Sequence, residues 1–260
     1  MRGLFVCLLV PLMLSGCVIP PQEEASVEDG AMTGTEADPC HPGFAHAKEP
    51  LRSDEEHAMA SELSLPSPVA YEVTLHVFWN AADHPTDFPP NPHFSPLAGG
   101  PHSEGFRLWQ PGEPASPAIE MQAEAGDPEP LRQAYRQGGT QVLPNQFAVG
   151  DLVDSPGRTT VAFRTDREHT FLSVTSRLAP SPDWFVGVAA LPLTSGGAWI
   201  EEVVIPLCVW DAGTDNGRSY ASANQQPEKP QPIHLLRGQP LSAGPEQAAQ
   251  VGELILRRTE

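Results

Sequence analysis

Proline occupies 30 of the 260 positions, running from Pro11 to Pro245, and this spread excludes more folds than any other feature of the chain. A proline inside a helix removes a hydrogen bond and clashes with the preceding turn, at a cost of about 3 kcal/mol. With 22 glycines added, long helices have few places to form. The chain is therefore expected to be loop-rich and mainly β. A 40% hydrophobic share is enough for a packed core, and the length suits one domain with tails.

The clearest strand is AYEVTLHVFWN at 70–80. Tyr71, Val73, Leu75, Val77 and Trp79 alternate with Glu72, Thr74, His76 and Asn80, the period of a half-buried strand. The following DHPTDFPPNPHFSPLAGGPH, residues 83–102, is too rich in proline for regular structure. Asp127 can cap a short helix through LRQAYRQ, stopped by Gly138-Gly139, and Ser53 with Glu56 marks another over 54–63. Further strand candidates are TTVAFRT, HTFLSVTSRLA, WFVGVAALPL, WIEEVVIPLCVW, PIHLL and ELILRR. Together they predict an antiparallel β-sandwich with one or two short helices and long loops. GxSxG, HExxH, CxxC and a glycine-rich phosphate loop are all absent.

The N-terminus carries a second message. Met1-Arg2 precedes GLFVCLLVPLML, too short an apolar run for a bilayer span and suited to a secretory signal. It ends Leu14-Ser15-Gly16-Cys17, which resembles the lipobox of bacterial lipoproteins. That resemblance implies a signal peptide over 1–16 and a lipidated Cys17 attaching the chain to the membrane. Each buried methylene of an acyl chain adds about 0.8 kcal/mol to the anchoring. Val18 is not an aspartate, which in such lipoproteins favours the outer membrane of the cell envelope.

Residues 17–68 then read as an acidic flexible tether and 69–260 as the folded domain. Beyond the signal and anchor cysteines, Cys40 and Cys208 remain as a candidate disulfide in an oxidising compartment; the flexible look of the segment around Cys40 leaves the pairing open. The formal charge of −18, with lysine only at 48 and 229, argues against a nucleic-acid partner.

The chemistry concentrates in two stretches, LAPSPDWFVGV at 178–188 and WDAGTDNGRSY at 210–220. If WFVGVAALPL and WIEEVVIPLCVW are antiparallel neighbours, Asp183 before one faces Asp211 and Asp215 after the other. Three carboxylates brought together repel unless a cation neutralises them. Oxygen ligands in a glycine-containing loop suit calcium, which takes six to eight oxygens at about 2.3–2.6 Å. The plainer reading is turn chemistry, for which Asp and Gly are the usual residues.

Together with HFSPLAGGPHS at 93–103 and GGAWIEE at 196–202, these stretches resemble the spondin domain, a β-sandwich module, over roughly residues 69–236. YEVTLHVFW is similar to that domain's first strand. The resemblance implies calcium held at the sandwich edge by the aspartate of SPDW and both of DAGTD, which are Asp183, Asp211 and Asp215. It also implies a binding or adhesion role and not an enzyme, with a surface protein or glycan as partner. The animal pattern of cysteines before WIEE does not carry over, because Ser195, Gly196, Gly197 and Ala198 stand there.

Other features attract competing readings. His84, His93 and His102 suggest zinc, although ordering a long loop is the simpler role. Phe88, Phe94, Phe106 and Trp109 are expected to pin that loop to the core. Glu201 and Glu202 resemble an acid–base pair, but adjacent strand residues point to opposite faces. The rivals to a calcium-dependent binding module are a surface hydrolase using calcium and a calcium-dependent phospholipid binder. The hydrolase lacks a nucleophile motif. The phospholipid binder would have Arg218 as its only base in the metal loop.

Overall fold

A computed structural model describes Cys40, residues 46–47 and residues 65–260, within a compact unit spanning Asp38–Glu260. The helix expected over 54–63, the signal peptide and Cys17 lie outside the described residues, as does most of the tether. In chain order the first strands are β1 (His46–Ala47), β2 (Val69–Val77), β3 (His93–Phe94) and β4 (Ala98–His102). Helices α1 (Pro117–Ala125) and α2 (Glu129–Arg136) follow, then β5 (Ala148–Val149), β6 (Val153–Asp154) and β7 (Gly157–Thr165). The chain continues through β8 (Phe171–Ala179), β9 (Trp184–Pro192), β10 (Thr194–Ser195) and β11 (Ala198–Trp199). It closes with β12 (Glu202–Cys208), β13 (Trp210–Asp211), β14 (His234–Leu235) and β15 (Gln250–Arg258).

Two large antiparallel sheets pack face to face, and β10 and β11 form a separate two-stranded ribbon. The first runs β1-β12-β15-β2-β7, and the second runs β14-β13-β9-β8-β3-β6 with β4 also on β8. The inward residues of β2 are those expected from alternation: Tyr71, Val73, Leu75 and Val77 are fully buried, with Trp79 just beyond the strand. They meet Leu172, Val174 and Leu178 of β8 and Trp184 and Val186 of β9 in one core. Strands β8 and β9 do not alternate because both their faces are covered. On the far face α1 and α2 build a second core, in which Ile119, Leu131 and Tyr135 pack around Ala98, Phe185 and Ala212.

Three sequence expectations need correction. The segment 83–102 is not wholly irregular, since β3 and β4 both fall within it. Gly99 permits this: a Cβ there would stand 2.0 Å from the Ser173 carbonyl oxygen, so only glycine allows β4 to lie against β8. The stretch 199–210 is not one strand beside β9. Its main part, β12, pairs with β15 in the opposite sheet, and a register shift at Leu207/Cys208 re-aims the chain so that only β13 reaches β9. Asp127 does not stand at the N-cap of α2, which is Pro128, although its carboxylate accepts from the Glu129 amide at 2.9 Å.

Helix α1 is a feature the sequence reading passed over. Ser116 caps it, Pro117 opens it and Gly126 closes it in the left-handed conformation. The open question of Cys40 is answered by a disulfide to Cys208 with the Cα atoms 5.7 Å apart. Both cysteines pack with Ala248. Leu65 belongs to the main core and the Trp199 indole donates to the Pro66 carbonyl at 2.7 Å. The described parts of 17–68 are thus joined to the sandwich.

Candidate metal centre

Pairing of β13 with β9 sets Asp211 opposite Trp184, and so brings the 211–217 loop against the turn ending at Asp183. The Ala212 amide donates to the Asp183 carbonyl at 3.1 Å. The Asp183 side chain, with 0% of its surface exposed, reaches into the loop. Its Oδ2 accepts from the amides of Thr214 at 2.7 Å and Asp215 at 3.0 Å, and from the Thr214 hydroxyl at 3.2 Å. Its Oδ1 is buried and accepts nothing. Burial, then the Asp211 charge, pushes this carboxyl up to about 6, against the loop's hydrogen bonds.

Asp211 and Asp215 do serve as turn residues. Asp211 Oδ1 accepts from the Gly213 amide at 2.8 Å, and Asp215 Oδ1 from the Gly217 amide at 2.7 Å. Each carboxylate has a further bond, Asp211 Oδ2 from the Trp184 indole at 3.2 Å and Asp215 Oδ1 from the Gln225 amide at 3.1 Å. Burial raises the Asp211 pKa, and nearby His234 partly offsets it. Gly213 fixes the loop's path: it has φ +74°, and a Cβ there would lie 2.2 Å from the Gln231 carbonyl oxygen. These are the turn bonds that Asp and Gly ordinarily supply, and they engage Oδ1 of each aspartate.

Asp211 and Asp215 line a cleft of about 230 Å³, with Arg218, Gln231 and His234 on its other walls. Fit to a cation rests on the buried acceptor of Asp183. An ionised oxygen in that position, without a donor, is costly in an interior and is matched by a hard ion. The acidic side chains there are carboxylates, hard oxygen donors that suit calcium better than zinc. No three Asp, Glu, His or Cys side chains among the described residues converge on one point as a finished cage.

Residues 69–245 match the sequence profile of the Spondin_N family. The chain belongs to that family. Its spondin domain is 35% identical to mouse (Mus musculus) spondin-1 over 162 residues, covering 60% of this chain and 20% of that protein. It is 32% identical to rat (Rattus norvegicus) spondin-2 over 159 residues, covering 59% of this chain and 48% of that protein. The chain thus spans about a fifth of spondin-1 and about half of spondin-2.

The remaining candidates fall apart spatially. His84 bonds the Leu241 carbonyl, His93 the Asn91 carbonyl, and His102 the Ser103 carbonyl and Ser173 hydroxyl. Each ring has its own partner in a different place. Phe94 and Trp109 are buried, and Phe88 and Phe106 pack against the two cores, so these aromatics do anchor the loop. Glu201 pairs with Arg258 and Glu202 with Arg257 on the surface. Sequence reasoning missed Glu124 and Arg177, which lie beside the aspartates. An acid in a helix and an arginine in a strand give no local signal of a shared site.

Proposed function

We propose that this spondin domain is a calcium-binding, non-enzymatic recognition module held outside the cytoplasm by a lipid on Cys17. The observation that carries the calcium reading is Asp183 Oδ1, buried without a donor beside a loop holding two more carboxylates. The ion would staple the 179–183 turn to the 211–217 loop and fix the shape of the cleft for a surface protein or glycan. The Cys40–Cys208 bridge is consistent with an oxidising compartment. Among the described residues no helix is long and apolar enough to cross a membrane. The lipid anchor rests on Leu14-Ser15-Gly16-Cys17.

A hydrolase gains no support. Among the described residues a close Ser–His pair, Ser173 and His102 at 2.8 Å, is buried with 1% and 0% exposure. A substrate has no route to it. The test of the calcium reading is calorimetric titration of the chain from Val18 onward, with Asp215→Asn as control. Saturable binding that is lost in the variant supports the site. Absence of heat and of any thermal shift would reduce the three aspartates to turn residues. Metabolic labelling with a fatty acid, lost in Cys17→Ser, tests the anchor separately.

A further inference from the structure

Under α1 a polar patch interrupts the apolar contact between helix and sheet. Gln122 and Glu124 come from the helix, Thr175 and Arg177 from β8, and Asp183 from the turn after it. Ser95 links the two sides: its hydroxyl accepts from Gln122 Nε2 at 3.2 Å and from the Arg177 amide at 2.9 Å. Gly126 brings the end of the helix close, within 3.8 Å of Arg177 Cδ for a Cβ built there. Gln122 Oε1, Glu124 Oε1, Thr175 Oγ1, Arg177 Nε and Asp183 Oδ1 are all buried without a protein partner. Three of the five belong to charged groups.

The unexpected member is Arg177. Arg177 is half-buried, and a guanidinium so close to a buried carboxylate ordinarily forms a forked pair with it. Here Arg177 Nη2 donates instead to the Ser181 carbonyl at 2.7 Å, inside the turn that presents Asp183. The guanidinium feels both Glu124 and Asp183, yet Asp183 Oδ1 is left unbonded. Glu124 in turn interacts with Thr214, whose amide and hydroxyl hold Asp183 Oδ2. The helix therefore reaches the 211–217 loop through Glu124, while Arg177 of β8 reaches the turn that carries Asp183.

We propose that Arg177 and Glu124 are positioning residues for the ion: Arg177 fixes the turn that carries Asp183, and Glu124 draws the guanidinium away so that Asp183 Oδ1 stays free for the cation. This rests on the calcium reading above. It makes the helical layer part of the metal centre, although neither residue needs to touch the ion.

The sign of one substitution separates positioning from simple charge. If Arg177 acted only as a positive charge near a cation, Arg177→Met would tighten calcium binding. If it positions Asp183, the same change weakens binding by about tenfold, the scale seen for residues that orient metal ligands. Arg177→Lys, which keeps the charge but loses the planar fork, is expected in between. Glu124→Gln frees the guanidinium to pair with Asp183 and is expected to weaken binding by about tenfold. Calcium affinity would be measured by calorimetry on the chain from Val18 onward. Terbium luminescence excited through Trp184 would report the geometry, and unfolding in chelator would report the fold alone.

Weaker binding in Arg177→Met and Glu124→Gln, with unfolding in chelator little changed, supports the proposal. Unchanged or tighter binding in Arg177→Met overturns it while leaving the calcium site standing. Should Arg177→Met not fold, Glu124→Gln decides, and an affinity equal to the parent's overturns the proposal. A parent protein that binds neither calcium nor terbium overturns the calcium reading, and this inference with it.

Discussion

Acidic residues occur in two contrasting settings in this domain. On and around the first sheet they are exposed or half-buried and paired: Glu202 with Arg257 at 2.7 Å, Glu253 with His76 at 2.9 Å, Glu260 with Arg164 at 2.5 Å. At the edge of the second sheet Asp183, Asp211 and Asp215 are largely withdrawn from water and bonded to amides, a hydroxyl and an indole. The exposed set has basic partners in a chain that holds only 15 Lys and Arg against 33 Asp and Glu. The buried set bonds mostly neutral donors, and one oxygen has none. Surface carboxylates need no counter-ion because water screens them. Buried ones do, and here the protein does not fully supply it.

The largest test of this contrast is the ion itself. Calcium at a hundredfold excess over its Kd should stabilise the fold by about 2.7 kcal/mol. That corresponds to a rise in thermal midpoint of about 5–10 °C for a domain of this size, read by differential scanning calorimetry. An unmoved midpoint would remove the distinction between the two sets. Next, Asp183→Asn should do opposite things with and without calcium. In chelator at pH 7 it removes a buried charge whose pKa burial pushes up to about 6, so the variant is expected to be about 1–3 kcal/mol more stable than the parent. In calcium it should lose the ion's stabilisation. Urea unfolding under both conditions reads this sign change, and destabilisation in chelator would contradict it.

His102 offers an intermediate case, buried but bonded to neutral partners. Burial lowers its pKa below the ordinary 6.5. The unfolded chain then binds the proton first as pH falls, so stability is complete above about 6.5 and is lost as pH drops toward the depressed folded pKa. Stability should fall as pH drops below about 6.5 in the parent, and the fall should be smaller in His102→Gln, as followed by urea midpoints. The smallest effect belongs to the exposed set. Glu202→Gln should change stability by less than about 0.5 kcal/mol, and less again in high salt. A loss above about 1 kcal/mol would show that these surface pairs matter as much as the buried acids.

Legibility from sequence followed the range of each interaction. Alternation at 71–79 is local, because every second side chain of a strand faces the core, and all five residues proved buried. The short strand at 98–102 was hidden because its pairing depends on Gly99 meeting Ser173, a contact between residues 74 positions apart. Strand 199–210 was read as one element, since apolar content does not reveal the point where a chain changes sheets. Helix α1 was legible in principle from Ser116-Pro117 and Gly126, which are local signals.

By itself the sequence determined a mainly β chain, the buried face of its first long strand, and the three aspartates as a group to watch. Those follow from proline spacing, residue alternation and short motifs, all of which act over a few neighbouring positions. Only the tertiary structure decided that Cys40 meets Cys208, that α1 lays Glu124 against the 211–217 loop, and that Asp183 keeps a buried oxygen without a donor. Each of these is a meeting of distant segments, and burial and charge take their energies from such meetings.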